Sequence, residues 1–154
     1  MEYLVVKWLH VLSSTLLFGT GLGSAFYKHF TDRRGSLAAI AEVNRLVVWA
    51  DWLFTTPTVI VQPLSGLWLV HLAGYPLSTP WIAAALVLYA VAGACWLPVV
   101  WLQIRMRDLA QEALDAGTSL SPTYKQMRRA WFCLGVPAFT AMVAVFYLMV
   151  VKPG

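Results

Sequence analysis

Apolar positions along the chain fall into four long runs, separated by shorter polar or basic stretches. The runs cover about residues 3–27, 46–72, 81–105 and 130–151. Each is long enough to cross a bilayer, because a helix needs roughly 20 residues to span a ~30 Å hydrocarbon core. The pattern predicts an all-α protein, a transmembrane four-helix bundle with residues 1–154 as a single domain.

Composition supports a membrane protein. Of the 154 residues, 60% are hydrophobic and only 12% are charged. A typical soluble domain is about 45–50% apolar and about 25% charged, so a soluble fold of this size could not bury so much apolar surface. The basic residues do not form a groove interleaved with aromatic residues, and nucleic acid is therefore not an expected partner.

The basic residues also predict the orientation of the bundle. Nine of the eleven Lys and Arg residues lie in the segments that join helix one to two and helix three to four. The link "HLAGYPLSTP" between helices two and three contains neither. The positive-inside rule then places both termini outside the cytoplasm, in a multi-pass protein of the cytoplasmic membrane. Helices two and three are expected to extend into the cytoplasm. Ser36 is the predicted N-cap of helix two, Gly117 the C-terminal stop of helix three, and Ser121 the N-cap of helix four.

Each predicted helix carries a stripe of polar or small residues at the helical period. Because polar groups in hydrocarbon are costly, each stripe is expected to face the bundle interior. From helix one to helix four, the stripes are His10, Ser14, Gly21, Ser24 and Lys28; Asn44, Asp51, Thr55, Thr58, Gln62 and Ser65; Tyr89, Gly93, Trp96, Gln103 and Arg107; and Cys133, Pro137, Thr140, Ala144 and Tyr147.

His10 is the main candidate for chemistry. A buried neutral imidazole needs a hydrogen bond, a ligand or a proton-relay role. In one interpretation it bonds to neighbouring side chains and stiffens the bundle. In the other it binds the iron of haem b between the helices, with His71 as a second axial ligand or merely an interfacial residue. The residues predicted to surround the cofactor are His10, His71, Ser14, Gln62, Tyr89 and Tyr147.

Asp51 lies inside the second apolar run and is expected to form a structural ion pair near the cytoplasmic end. The candidate partners are Lys28, Arg105 and Arg107.

Gly19 and Gly23 have the small-x-x-x-small spacing that lets helices approach closely. Packing within the monomer, helix kinking and homodimerisation through this face all remain open.

Short motifs add a resemblance to known families. The chain contains "KWLH" (Lys7 to His10), then "FGTG", a basic first loop and a closing "VVKPG". As a whole it resembles a bacterial family of predicted integral membrane proteins of unknown function with four spans. More distantly, these motifs resemble HemJ-type membrane protoporphyrinogen oxidases, and the first helix is similar to that of CopD-like copper-resistance proteins. The HemJ resemblance implies a haem-binding bundle in which His10 is functional. HemJ-like proteins carry Asn-Glu-x-Pro in the last helix, where this chain has "LGVP", so the acidic group is absent.

Two functional hypotheses follow. In the first, the protein binds haem b or a porphyrin through His10 and exchanges electrons with quinone or another membrane redox protein, as an electron carrier or a HemJ-like oxidoreductase. In the second, it is a non-catalytic accessory subunit or a transporter-like protein in which His10 and Asp51 are structural. The lipid bilayer is a partner in both.

Overall fold

The computed structural model describes residues 1–153, and its elements are helical. In chain order they are α1 (Glu2–Arg34), α2 (Leu37–Ala50), a π-helical segment (Asp51–Thr55), α3 (Thr56–Leu72), α4 (Pro80–Asp115) and α5 (Pro122–Val151). Because α2, the π-helical segment and α3 follow one another without a break, residues 1–153 form four helices of membrane length. The predicted all-α architecture with four spans is confirmed.

The helix ends lie at the predicted signals. Ser36 Oγ accepts a hydrogen bond from Ala39 N at 3.3 Å, and Ser121 Oγ accepts one from Tyr124 N at 3.2 Å. Gly117 follows α4 with φ at 62°, a left-handed conformation that glycine adopts without strain. Ser36 lets α2 begin before the predicted second span, and Gly117 lets α4 end after the predicted third span.

The helices pack as two pairs. One pair is α1 with the α2–α3 helix, and the other is α4 with α5, which have the most extensive contact in the molecule. The two pairs contact each other mainly through α2 and α4. This contact lies at the end of the bundle that holds the α1–α2 and α4–α5 connections, here named the basic end. The main apolar core lies there and contains Ile40, Ala41, Val99, Leu102, Met106, Ala110, Tyr124 and Trp131.

Away from this core, large apolar side chains cover the outer surface. Leu64, Val87 and Leu97 are each more than 60% exposed. A surface of this kind is suited to lipid and not to water.

The polar stripes differ in how well they predict the buried face. All six residues of the helix-two stripe are buried, as predicted. On α5 the prediction is wrong. Four of the five stripe residues are exposed, Tyr147 to 62%, and the other three are Cys133, Pro137 and Thr140. The buried face of α5 carries Trp131, Ala141 and Val145 instead, because α5 packs against α4 through this face. Its stripe had few strongly polar residues, so polarity did not identify the buried side.

Candidate functional site

A cavity of about 350 Å³ lies between the two helix pairs. Small-molecule sites typically have about 300–1,000 Å³, so this volume is in the range of a ligand site. Its walls come from α1, the π-helical segment with α3, α4 and α5. The lining is mainly apolar, and the lining residues used below are Leu17, Phe18, Leu22, His29, Asp51, Thr55, Tyr89, Gly93, Trp96, Gln103, Trp131, Phe132, Val136 and Phe139.

The π-helical segment positions the acidic side chain of this cavity. Asp51 is its first residue, and the N–H of Thr56 donates to the Asp51 carbonyl, a bond that spans five residues instead of four. The wider turn immediately precedes Pro57, which has no N–H to give the Leu53 carbonyl as an α-helix would require. Single π-helical turns of this kind are frequent at functional sites.

A second proline places Tyr89 at the cavity wall. Pro63 lies inside α3 and cannot donate to the carbonyl four residues earlier, which belongs to Val59. The Tyr89 hydroxyl from α4 donates to this carbonyl oxygen at 2.7 Å. A kinked helix in hydrocarbon must find such a replacement donor, and here the donor connects the two helix pairs.

The polar end of the cavity is formed by Asp51, Gln103 and Trp131, each at most 6% exposed. Thr55 Oγ1 donates to Asp51 Oδ1 at 2.9 Å, and Gln103 lies next to the carboxyl group. Asp51 Oδ2, Gln103 Oε1 and Trp131 Nε1 have no hydrogen-bond partner among residues 1–153. Two acceptors and one donor are therefore left unpartnered beside the cavity, whereas buried polar atoms normally have a partner.

The predicted ion pair of Asp51 is wrong. Among the described residues Asp51 forms no salt bridge with Lys28, Arg105 or Arg107, and Arg107 pairs instead with its neighbour Asp108 at 2.7 Å. The physical reason is proximity along the chain, because Asp32 lies one helical turn after Lys28 on the same face of α1.

Lys28, Asp32, Asn44 and Tyr124 form a buried polar cluster at the basic end, here named the Lys28 network. Lys28 Nζ donates to Asp32 Oδ2 at 2.8 Å and to Asn44 Oδ1 at 2.6 Å. The Tyr124 hydroxyl donates to Asp32 Oδ1 at 2.6 Å and accepts from Asn44 Nδ2 at 2.8 Å. The side chains of Lys28 and Asp32 are 0% and 1% exposed. The network ties α1, α2 and α5 together below the cavity.

The cavity opens to the outer surface between α1 and α5. The backbones of these helices stay farther apart than those of α4 and α5. They meet through aromatic side chains, with the Phe18 and Phe139 rings stacked at 4.9 Å. Leu22, Phe132 and Val136 line the cavity and are nevertheless 47%, 48% and 52% exposed. Since the surrounding surface is apolar, this mouth faces lipid.

His10 lies outside this cavity, at the contact between α1 and α3. The Ser65 hydroxyl donates its proton to the Val61 carbonyl oxygen at 2.6 Å, so His10 Nδ1 donates to Ser65 Oγ at 2.8 Å. Nε2 therefore keeps its lone pair. Gly66 makes room for the ring, because a Cβ there would lie 3.3 Å from His10 Cε1. The prediction that His10 points into the bundle is confirmed toward α3, which belongs to helix two, and stays a prediction toward helices three and four.

The other residues predicted around a cofactor are dispersed. Gln62 Nε2 donates to the His10 carbonyl oxygen at 3.1 Å, and Ser14 Oγ donates to the Val11 carbonyl of its own helix. Tyr89 is on the cavity wall, whereas Tyr147 is exposed and outside the lining. His71 is exposed near the end of α3, at the opposite end from the Lys28 network. These six residues do not line one cavity, and their cofactor roles stay predictions.

Among residues 1–153, no group of three or more His, Cys, Asp and Glu side chains is arranged to hold a metal ion.

The Gly19 and Gly23 face is not used for close packing within this chain. A Cβ at either position would meet nothing within 4 Å. Packing inside the monomer therefore does not explain the spacing, and homodimerisation through this face stays a prediction.

The sequence pattern missed several residues of the site. His29 is one of them: α1 continues to Arg34, and His29 lines the cavity with its ring centroid 5.2 Å from that of Phe132. Trp131 was not connected to Asp51, since nothing local to either residue links them. The signal for the Lys28 network was the i,i+4 spacing of Lys28 and Asp32.

Comparison with known proteins identifies a family and no activity. No curated protein and no solved structure matches the chain. The family description, predicted integral membrane protein, agrees with the four membrane-length helices. The chain belongs to the predicted integral membrane protein family DUF2269, which it matches over residues 4–153.

Proposed function

We propose that this protein binds a lipophilic small molecule inside the membrane, in the cavity between its two helix pairs. The observation that carries the proposal is the coincidence of a lipid-facing mouth with a buried polar end at Asp51, Gln103 and Trp131. A mainly apolar pocket with a few convergent polar groups is the usual form of a small-molecule site. This function belongs to the non-catalytic, transporter-like or accessory class.

The cavity can be filled by a single substitution on its wall. A Cβ at Gly93 would meet nothing within 4 Å, so the side chain of Gly93→Phe has room to extend into the cavity. Ala90→Phe is the matched control, because Ala90 is exposed on the same helix and does not line the cavity.

The test is to purify the wild type and both variants in lipid nanodiscs, extract them with solvent and quantify retained small molecules by mass spectrometry. We expect a lipophilic compound at stoichiometric amount in the wild type and in Ala90→Phe, and its loss in Gly93→Phe. Equal retention in all three proteins, or none in the wild type, contradicts the proposal.

A second candidate function, haem b or porphyrin binding through His10, is favoured by one observation. The Nδ1–Ser65 bond leaves Nε2 available, and a hydrogen bond at the other ring nitrogen is typical of metal-binding histidines. In this proposal His10 Nε2 would be the single axial ligand, at the α1–α3 contact and outside the cavity. Haem would supply one-electron transfer when bound, with quinone or another membrane redox protein as the expected partner.

An absorption spectrum separates this candidate from the first. In the redox hypothesis, purified protein shows a Soret band that shifts on reduction and is absent in His10→Ala. His71→Ala removes it only if both histidines bind the iron. A colourless wild type after expression with haem precursor, or an unchanged spectrum in His10→Ala, rules the assignment out.

A further inference from the structure

The cavity also indicates the chemical class of its ligand. This step rests on the proposed function, because it requires that the cavity binds a small molecule. Its starting point is the imbalance of the polar end, where the unpartnered acceptors are Asp51 Oδ2 and Gln103 Oε1 and the unpartnered donor is Trp131 Nε1. One acceptor belongs to a carboxyl group, so the polar end is complementary to positive charge.

No basic side chain of the described residues neutralises Asp51. Lys28 is held by Asp32 and Arg45 by Glu42, and Arg107 pairs with Asp108. Arg128 donates to the Asp32 carbonyl oxygen at 3.0 Å. An isolated carboxylate in a low-dielectric site is strongly disfavoured, and a cationic ligand would remove that cost.

Other groups near the cavity do not compensate Asp51. His29 lines the wall but packs against the Phe30 and Phe132 rings at 5.5 and 5.2 Å. Lys28 Nζ lies 5.5 Å from the Trp131 ring centroid, on the basic-end side, and its charge is balanced by Asp32.

The aromatic side chains of the cavity walls also favour a cation. Aromatic faces attract ammonium-type cations within about 6 Å of the ring, and more strongly where water is excluded. Six aromatic side chains line this cavity, and they come from three of the helices. They are Phe18, Tyr89, Trp96, Trp131, Phe132 and Phe139.

We propose that the ligand is a lipophilic organic cation. Its positive charge lies at the polar end, on the side of the Asp51 carboxyl group, and its hydrophobic groups lie against the aromatic walls. It enters from the bilayer through the mouth between α1 and α5, where Leu22 and Val136 are half exposed. Asp51 gives the site its charge preference, and Gly93 leaves the space for the hydrophobic groups.

The probe is radiolabelled tetraphenylphosphonium, and its binding to protein in nanodiscs is measured by equilibrium dialysis against protein-free nanodiscs. We expect saturable binding to the wild type. Asp51→Asn removes the charge at nearly constant volume and should weaken binding about tenfold or more. Glu2→Gln is the control for loss of a surface carboxylate at the opposite end, and it should bind like the wild type. Asp51→Glu keeps the charge and should retain most of the affinity.

Neutral triphenylmethane distinguishes failure of this inference from failure of the proposed function. Triphenylmethane should bind the wild type more weakly than the cation does. It should bind Asp51→Asn as tightly as the wild type, and this equal binding would also show that the variant is folded. If the cation shows no saturable binding, or binds Asp51→Asn as tightly as the wild type, the cation inference is wrong. Saturable triphenylmethane binding that is lost in Gly93→Phe would then leave the cavity function intact. Absence of binding for both probes rejects both proposals.

Discussion

Lys28 illustrates how a charge is stabilised inside this protein. Its ammonium group is fully buried, and it is held by the Asp32 carboxylate, the Asn44 amide and the Tyr124 hydroxyl, the last at 3.4 Å. Every buried proton and lone pair of such a cluster needs a partner, because the low dielectric makes an unpaired charge costly. Asp51 has no comparable set of partners, which is why we assign the two carboxylates different roles.

Removal of one member of the Lys28 network should therefore destabilise the fold. Asp32→Ala leaves the Lys28 charge buried without its ion-pair partner, and we expect a loss of about 3–5 kcal/mol in the free energy of unfolding. The measurement is unfolding in a mixed detergent system. Glu42→Ala is the control, because the Glu42–Arg45 pair is exposed and its loss should leave the unfolding transition unchanged. If Asp32→Ala unfolds like Glu42→Ala, the network does not stabilise the protein.

On the scale of elements, sequence patterns predicted where helices begin and end better than which way they face. Ser36, Gly117 and Ser121 act locally, so their roles could be read without knowledge of the fold. The buried face of helix two was also predictable, because its stripe contains six polar residues. The stripe of α5 relied on weakly polar residues, and contact with α4 decided its orientation instead.

Contacts between distant elements could not be predicted from spacing. Tyr89 is thirty residues from Val59, and only the kink at Pro63 explains why a hydroxyl is needed there. Likewise, Asp51, Gln103 and Trp131 meet because three helices pack in one particular arrangement. Asp51 and Gln103 each belong to a predicted polar stripe, but the spacing within a stripe does not show which residues of two helices share a cavity.

The link between Tyr89 and the Val59 carbonyl can be tested by a double-mutant cycle. Tyr89→Phe should lower the free energy of unfolding by about 1–3 kcal/mol, because a buried carbonyl loses its donor. In a Pro63→Ala background residue 63 regains its N–H, which can bond the same carbonyl. The effect of Tyr89→Phe should then be clearly smaller. Equal losses in both backgrounds would show that the proline and the tyrosine are not coupled.

On the scale of the whole molecule, the helix pairs are joined at the basic end and separated by a cavity farther along. The core and the Lys28 network both lie near that join. This arrangement gives the cavity a rigid base and an apolar side opening, as a ligand that diffuses in the bilayer requires.

Orientation in the membrane stays a prediction from the loop charges. The basic end should be cytoplasmic and both termini external, since the link near Tyr75 and Pro76 has no Lys or Arg. A cysteine introduced at Pro76, in a background with Cys95→Ser and Cys133→Ser, should react with a membrane-impermeant maleimide added outside intact cells. Labelling only after the membrane is opened would show that the link is cytoplasmic and that the predicted topology is wrong.

The central claim is that the space between the helix pairs is a ligand site, and crystallography with a neutral brominated lipophile tests it most directly. Crystals grown in a lipidic mesophase would be soaked with 2-bromonaphthalene, and the bromine would be located by anomalous scattering. We predict a bromine peak inside the cavity, within contact distance of Trp96 and Phe139, that disappears in Gly93→Phe crystals. Bromine peaks confined to the outer surface, with none inside the cavity, would contradict the account.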